Sequence, residues 1–393
     1  MPECGSQCWL CDLPVRFDTY KGCTHNCAYC FVQRKSSLQV EPGESAESLR
    51  SFIAGNRTGT TRWADWDIPI HWGGMSDPFQ PCERKHKRSL EALKILAETG
   101  YPCVISTKGR LCVEEPYLSL IRAGNIVMQV SAVCDKYDAL EPGAPPFAER
   151  LEMIRTLSRN AKRVIVRTQP YICDVFEDVK ANLAKYAEAG AYGVIFEGMK
   201  FNRKKPGTVK IGGDFVIPIR HLRADFERLR DECHRCGLAF YSGENRLRTM
   251  GDSMTCCGID GLEGFRPNTY NLAHILNGDN SSAGGGGYDG SRERAVLQNL
   301  PSGHGVLQDD SGQQLRGDDS MDGAPPDGAR SSRFGPCEGS GIDGEGTARV
   351  FHSIFQEAGL SDLFRVMSFR DAMGWMYRRK PKFVLSVLGI KSE

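Results

Sequence analysis

From residue 15 to residue 242 the chain alternates short apolar, β-branched runs with longer amphipathic segments, and this limits the available folds more than any other feature. Strand-like runs stand at Ile68–Trp72, Cys103–Thr107, Ile126–Val133, Arg163–Thr168 and Tyr192–Glu197. Helical patterns separate them at Glu83–Glu98, Glu115–Ala123, Phe147–Ser158, Phe176–Ala189 and Ile219–Cys236. In the first of these, Leu90, Leu93, Ile95 and Leu96 gather on one face fit for a core. A first strand near Val15–Tyr20 and a helix near Ser45–Ala54 raise the total to about six βα units. Such repetition predicts an α/β chain of parallel strands joined by crossover helices. It is either a doubly wound sheet or a full or partial barrel, with active groups at the C-terminal ends of the strands.

The pattern stops near residue 276. Residues 277–349 hold seventeen of the forty-three glycines, and their twelve acidic and six basic side chains give a net charge of −6. Sustained hydrophobic periodicity is missing there, so the segment buries too little apolar surface to offset its chain entropy. A disordered acidic linker at 276–349 is expected, in preference to an ordered Gly-rich loop of that length. It would join a barrel domain at 1–275 to a helical tail at 350–393, where Phe351, Ile354, Phe355, Leu360, Leu363 and Phe364 are available for packing. With the whole chain at +1, the remainder is +7, a mild bias toward anionic partners. No run of 18 apolar residues occurs, and Met1 to Leu13 lacks the basic and apolar regions of a signal peptide. The expectation is a cytoplasmic chain with no membrane partner. Its sixteen cysteines then point to metal ligation, catalysis or buried thiols sooner than to disulfides.

The most specific cysteine pattern follows the first strand, in Tyr20-Lys21-Gly22-Cys23-Thr24-His25-Asn26-Cys27-Ala28-Tyr29-Cys30-Phe31. Cys23, Cys27 and Cys30, at Cys-x3-Cys-x2-Cys spacing on one loop, can reach three irons of a [4Fe–4S] cluster, which ordinarily takes four thiolates. With three local ligands, one iron stays open to a substrate or cofactor, as in an open catalytic metal site. The alternatives are a structural zinc loop completed from elsewhere, or three buried thiols.

These residues resemble the signature of the radical S-adenosylmethionine enzymes. Gly73-Gly74-Met75-Ser76-Asp77-Pro78, Ser106-Thr107-Lys108 and Gln129-Val130-Ser131 extend the resemblance toward the spore photoproduct lyase-like branch, over roughly residues 12–270. The resemblance implies a partial (βα)6 barrel whose cluster chelates the amino and carboxylate groups of S-adenosylmethionine. One-electron reduction then yields methionine and a 5′-deoxyadenosyl radical that abstracts hydrogen from a substrate. Carried over by position, Cys23, Cys27 and Cys30 would bind the cluster. Tyr29, Gly73, Gly74, Ser76, Lys108, Ser131 and Arg167 would line the cofactor pocket, with Lys108 facing the carboxylate. Partners would be S-adenosylmethionine and an electron donor such as flavodoxin or ferredoxin. One departure stands out. Members of that lyase branch carry a hydrogen-returning cysteine before the Ser-Asp pair, and this chain has Gly74 there, with Cys82 a few residues on.

A second cysteine series, Cys4, Cys8 and Cys11, repeats the spacing and could form an auxiliary cluster or zinc loop with help from Cys233 and Cys236 or Cys256 and Cys257. Glu197 and the run Tyr241-Ser242-Gly243-Glu244-Asn245-Arg246 are further candidates for substrate contact, or else capping and loop residues. The run Arg84-Lys85-His86-Lys87-Arg88 reads as a solvated face or a phosphate contact. The expected activity is reductive cleavage of S-adenosylmethionine with hydrogen abstraction from a nucleic-acid lesion, a peptide or a small molecule. The rival is a non-enzymatic iron–sulfur or zinc protein that binds nucleic acid.

Overall fold

The computed structural model describes residues 3–4, 11–30, 32, 40–56, 68–201, 203–211 and 214–267. The expected linker and helical tail, and the side chains of Cys4 and Cys8, lie outside the described residues. Seven parallel strands make the frame: β1 (Val15–Phe17), β2 (Ile70–Trp72), β3 (Cys103–Thr107), β4 (Ile126–Ser131), β5 (Arg163–Tyr171), β6 (Gly193–Gly198) and β7 (Ala239–Ser242). They pair in chain order, β1 to β7. Strand order in a doubly wound sheet reverses at a switch point. Here it never does, so the winding is that of a barrel, left open between β7 and β1. At the β1 edge the short strand Glu3–Cys4 adds antiparallel.

Six helices cross over between successive strands: α1 (Ala46–Ile53), α2 (Arg88–Thr99), α3 (Tyr117–Ala123), α4 (Phe147–Ser158), α5 (Phe176–Glu188) and α6 (Ile219–Arg235). Side-chain alternation divides each strand between two environments. Val15, Phe17, Trp72, Ile105, Met128, Val166, Phe196 and Phe240 pack outward against the helices. Val104, Val127, Ile165, Ile195 and Tyr241 fill the lumen together with Leu13, Cys257, Ile259 and Phe265. The segment after β7 closes this floor: Gln129 donates to Cys257 O at 2.9 Å, and Arg163 to Gly258 O at 2.9 Å and Asp260 O at 2.8 Å. The open seam is tied by the buried pair Arg248–Asp12 at 3.0 Å, and Cys256 N donates to the same carboxylate.

Three local differences from the sequence expectations have physical causes. The strand expected over 15–20 ends at Phe17; Tyr20–Lys21 pairs instead with Glu41–Pro42. Strand β5 runs on to Tyr171, past the cis peptide Gln169–Pro170 and a break in register. The helix expected at 83–98 is broken at Lys87, which takes φ 52°, leaving a short helix Glu83–His86 ahead of α2. Glu83 explains that break. It is fully buried, and its carboxylate accepts from Ser89 N at 3.0 Å and Leu90 N at 2.9 Å, capping α2 from one turn back. The same carboxylate accepts from the hydroxyls of Tyr20 and Tyr117. Replacing Glu83 with Ala strands four buried donors, and urea unfolding is expected to show a loss of about 3–5 kcal/mol.

Candidate functional site

The cysteine loop leaves the sheet just beyond β1, at the C-terminal end of the strands. It has almost no regular structure of its own, and Gly22 (φ 81°) and Asn26 (φ 51°) sit in left-handed conformations that those two residue types tolerate. Its shape is imposed by neighbours. Ser76 Oγ donates to Gly22 O at 2.7 Å and Gln80 Nε2 to the same oxygen at 3.2 Å, while Thr24 N donates to Gln80 Oε1 at 3.0 Å. From the far side, the β4–α4 loop gives Leu140 O to Ala28 N at 2.8 Å and receives His25 O at Gly143 N, 3.0 Å. A Cβ at Gly143 would stand 2.3 Å from Thr24 O, so that approach needs glycine.

The three thiols follow one another along this loop, Cys27 buried and Cys23 and Cys30 half-buried. Burial, then the nearby Asp77, pushes the Cys23 thiol up to about 12. Burial also raises Cys27, against an opposing effect of Lys108. Both are therefore protonated without a metal to displace the proton. Among the described residues, no group of three or more His, Cys, Asp or Glu side chains is gathered closely enough to hold a metal ion. The donor set nevertheless has the chemistry of an iron–sulfur site: three cysteines on one clamped loop.

Beside it lies a charged group that sequence reasoning missed. Glu141, 1% exposed, sits 2.5 Å from Arg150 Nη2 and 3.7 Å from Lys108 Nζ, and accepts from the Tyr29 hydroxyl. Lys108 Nζ stands 5.7 Å from the centre of the Tyr29 ring. Tyr29 and Lys108 are thus brought together, and Lys108 already has an anionic neighbour. Asp77, part of the Gly73–Pro78 motif but given no role from the sequence, is a second carboxylate here. It accepts from Phe79 N, Thr107 Oγ1 and Lys108 N at 2.8, 2.8 and 2.6 Å, and faces His25 at 3.5 Å. Asp18 is the third, accepting from Met75 N and Ser76 N at 3.4 Å. Each has a partner far off in sequence: Tyr29 is 112 residues from Glu141, Met75 57 from Asp18, and Lys108 31 from Asp77.

Gly73 and Gly74 behave differently. Gly73 has φ 90°, and a Cβ would meet Ser106 O at 2.1 Å. At Gly74 the nearest atoms are those of the His71 ring, 3.5 Å away, so a side chain fits. Ser76 is buried and its hydroxyl holds the cysteine loop. Ser131, at the end of β4, is buried, and its carbonyl accepts from Arg150 Nη1 at 3.0 Å. Arg167 lies inside the barrel, donating to Ser106 Oγ at 2.6 Å, Gln129 Oε1 at 3.0 Å and Gln169 Oε1 at 2.8 Å. His71 Nε2 lies 2.9 Å from the same Ser106 Oγ.

The remaining candidates separate. Cys11 packs with Cys257 on the lumen side, whereas Cys233 belongs to the core outside the sheet, so the α6 cysteines do not join Cys11. Glu197 is paired with Lys200 at 2.6 Å, and Glu244 is buried beyond β7. The basic run divides: Arg84 pairs with Glu114 at 2.7 Å, while Arg88 donates to the carbonyls of Thr19, Gly43 and Glu44 at 3.0 Å, a structural role in place of a solvated one. Cys82, half-buried next to Glu83, opens the short helix.

No family model matches the chain. Uncharacterised proteins of Mycobacterium tuberculosis and Mycobacterium bovis are each 27% identical over 202 residues, or 48% of this chain. The match spans 59% of the length of these relatives. Among solved structures, a spore photoproduct lyase variant with bound S-adenosylmethionine and a dinucleoside spore photoproduct is 16% identical, with a TM-score of 0.45 over 58% of this chain and 76% of that one. SuiB of Streptococcus suis bound to S-adenosylmethionine is 12% identical, with a TM-score of 0.44 over 61% of this chain and 52% of its own. The cobalamin-dependent S-adenosylmethionine radical enzyme OxsB is 15% identical, with a TM-score of 0.32 over 43% and 26%. No helix among the described residues is long and apolar enough to cross a membrane.

Two outcomes test this geometry. Gly73→Ala is expected to cost about 2–4 kcal/mol in urea unfolding, and Gly74→Ala less than about 0.5 kcal/mol. The second concerns Asp18, which burial raises from 3.8 to about 7. The native group keeps its proton up to about pH 7, whereas the unfolded one loses it near 3.8. Stability therefore falls as pH rises through that window and levels off above it. In Asp18→Asn, unfolding measured from pH 4 to 8 is expected to lose this decline.

Proposed function

We propose that the chain is a radical S-adenosylmethionine enzyme. The observation that carries this reading is the cysteine loop: three thiols at Cys-x3-Cys-x2-Cys spacing, clamped from two sides at the C-terminal mouth of a barrel-type parallel sheet. Cys23, Cys27 and Cys30 would hold a [4Fe–4S] cluster with one iron left for S-adenosylmethionine. Reduced by a donor such as flavodoxin or ferredoxin, the cluster would supply the electron that cleaves the cofactor to methionine and a 5′-deoxyadenosyl radical.

The chain's own residues have distinct tasks in this reading. Gly73 brings backbone to the mouth at a place that tolerates no side chain, suited to the methionine amino group. Lys108 presents a cation whose reach is set by Glu141 and Tyr29, suited to the carboxylate. Ser76 acts through the loop it holds, and in this reading Ser131, Gly74 and Arg167 would line the space behind. The substrate class favoured first is a nucleic-acid lesion, with a peptide or small molecule next. Gly74 stands where the lyase branch has its hydrogen-returning cysteine, so the substrate radical would have to be quenched by another group. A cytoplasmic setting suits a cluster with an exposed iron.

The test is anaerobic reconstitution, with iron and sulfide analysis followed by an assay for 5′-deoxyadenosine with dithionite. About four irons per chain and cofactor cleavage are expected, both lost in the variant with Cys23, Cys27 and Cys30 changed to Ala. About eight irons would bring Cys4, Cys8 and Cys11 into a second cluster. Bound zinc, or iron without any cleavage, would overturn the reading in favour of a non-enzymatic binding protein.

A further inference from the structure

The lumen above its apolar floor is lined by Arg16 of β1, His71 of β2, Ser106 of β3, Gln129 of β4 and Arg167 of β5. Among the described residues, the acceptors of the Arg167 guanidinium are neutral: the Ser106 hydroxyl and the amides of Gln129 and Gln169. The Arg16 guanidinium touches Met75 Sδ at 3.6 Å. Among the described residues, no carboxylate stands at ion-pair distance from either.

The anionic groups nearby are engaged elsewhere. Glu197 is 2.6 Å from Lys200, and Asp12 is bound to Arg248 and to Cys256 N. Asp18, which faces Arg16, holds its proton up to about pH 7. His71 reports the resulting field: burial, then Arg167 and Arg16, hold its imidazole neutral down to about 3.

Both arginines are half-buried; drawing a guanidinium partly out of water without a counter-charge is costly, and its fork is matched to carboxylate and phosphate oxygens. Lys108, by contrast, already has Glu141 as its partner. The two sides of the mouth therefore differ: the cysteine side is balanced, and the lumen side lacks negative charge.

We propose that Arg167 and Arg16 form an anion subsite inside the barrel that takes a carboxylate or phosphate group of the molecule on which the protein acts. This rests on the proposed function only in calling that molecule a substrate; the binding itself requires no cluster.

The test uses the full metal-free chain, with inorganic phosphate and acetate titrated separately at constant ionic strength against chloride. Either anion is expected to raise Tm saturably, phosphate alone marking a phosphoryl group and acetate alone a carboxylate. Arg167→Gln should abolish the response, and Arg16→Gln should weaken apparent anion affinity about tenfold. Arg167→Lys, which keeps the charge, should retain part of it. By NMR, the His71 ring should titrate closer to its ordinary value in Arg167→Gln. If neither anion acts beyond chloride, or the response persists unchanged in both Gln variants as an adventitious surface effect, the subsite is wrong. Failure of cofactor cleavage with an intact anion response would sink only the enzymatic reading.

Discussion

Nine residues without regular structure, Gly22–Cys30, have to be held still by other parts of the chain, and much of the mouth of the barrel is arranged to do so. Backbone polar groups in an irregular loop need partners, and a loop lacking a ladder must take them from elsewhere. Here they come from the turn after β2, through Ser76 and Gln80, and from the loop before α4, through Leu140 and Gly143. Those two turns are fixed in their own right, the first by Asp18 and Asp77 and the second by the Glu141–Arg150 pair. The polar residues around the cysteines thus serve first as a frame, and chemistry at the mouth inherits its precision from that frame.

The sheet supplies the second constraint. Alternation sends aromatic and aliphatic side chains outward to the helices, and inward the lumen changes character with height. Below, Val104, Val127, Ile165, Ile195 and Tyr241 close it as a packed floor. Above, hydroxyl, amide, imidazole and guanidinium groups share one network centred on Ser106. Depth is therefore set by packing and the polarity of the upper lumen by this network, and the two can vary independently. Since the sheet does not close on itself, the Arg248–Asp12 tie does at the seam what a further strand pair does in a complete barrel.

The parts legible in the sequence are those whose cause is local. Strand Cys103–Thr107 and helix Phe147–Ser158 appear at the expected residues, because a wholly buried strand must be continuously apolar and a crossover helix must show one apolar face. The break at Lys87 was hidden, since its cause is a carboxylate capping across a turn. The alternation alone left a doubly wound sheet and a barrel open, because both share it and differ only in strand order; the partial barrel implied by the cysteine motif's resemblance is the one found. The cysteine spacing was visible as a motif. Asp77 was visible only as a member of the Gly73–Pro78 motif, and Glu141 and Asp18 not at all, each being a lone acidic residue until the fold supplies its partners.

The clamp on the cysteine loop also orders events in time. Its anchor points lie at residues 76–80 and 140–143, so the contacts that shape the loop span roughly 50 to 120 positions of sequence and form only after the intervening strands have met. A nascent chain displays all three cysteines once about thirty residues have been made, yet it has no means of presenting them together. Any metal captured at that stage would meet a flexible tether with the wrong geometry. Assembly of the proposed centre would therefore be a late event, dependent on the first four strands being in place, and a chain interrupted before residue 143 carries the three cysteines without the vise that aligns them.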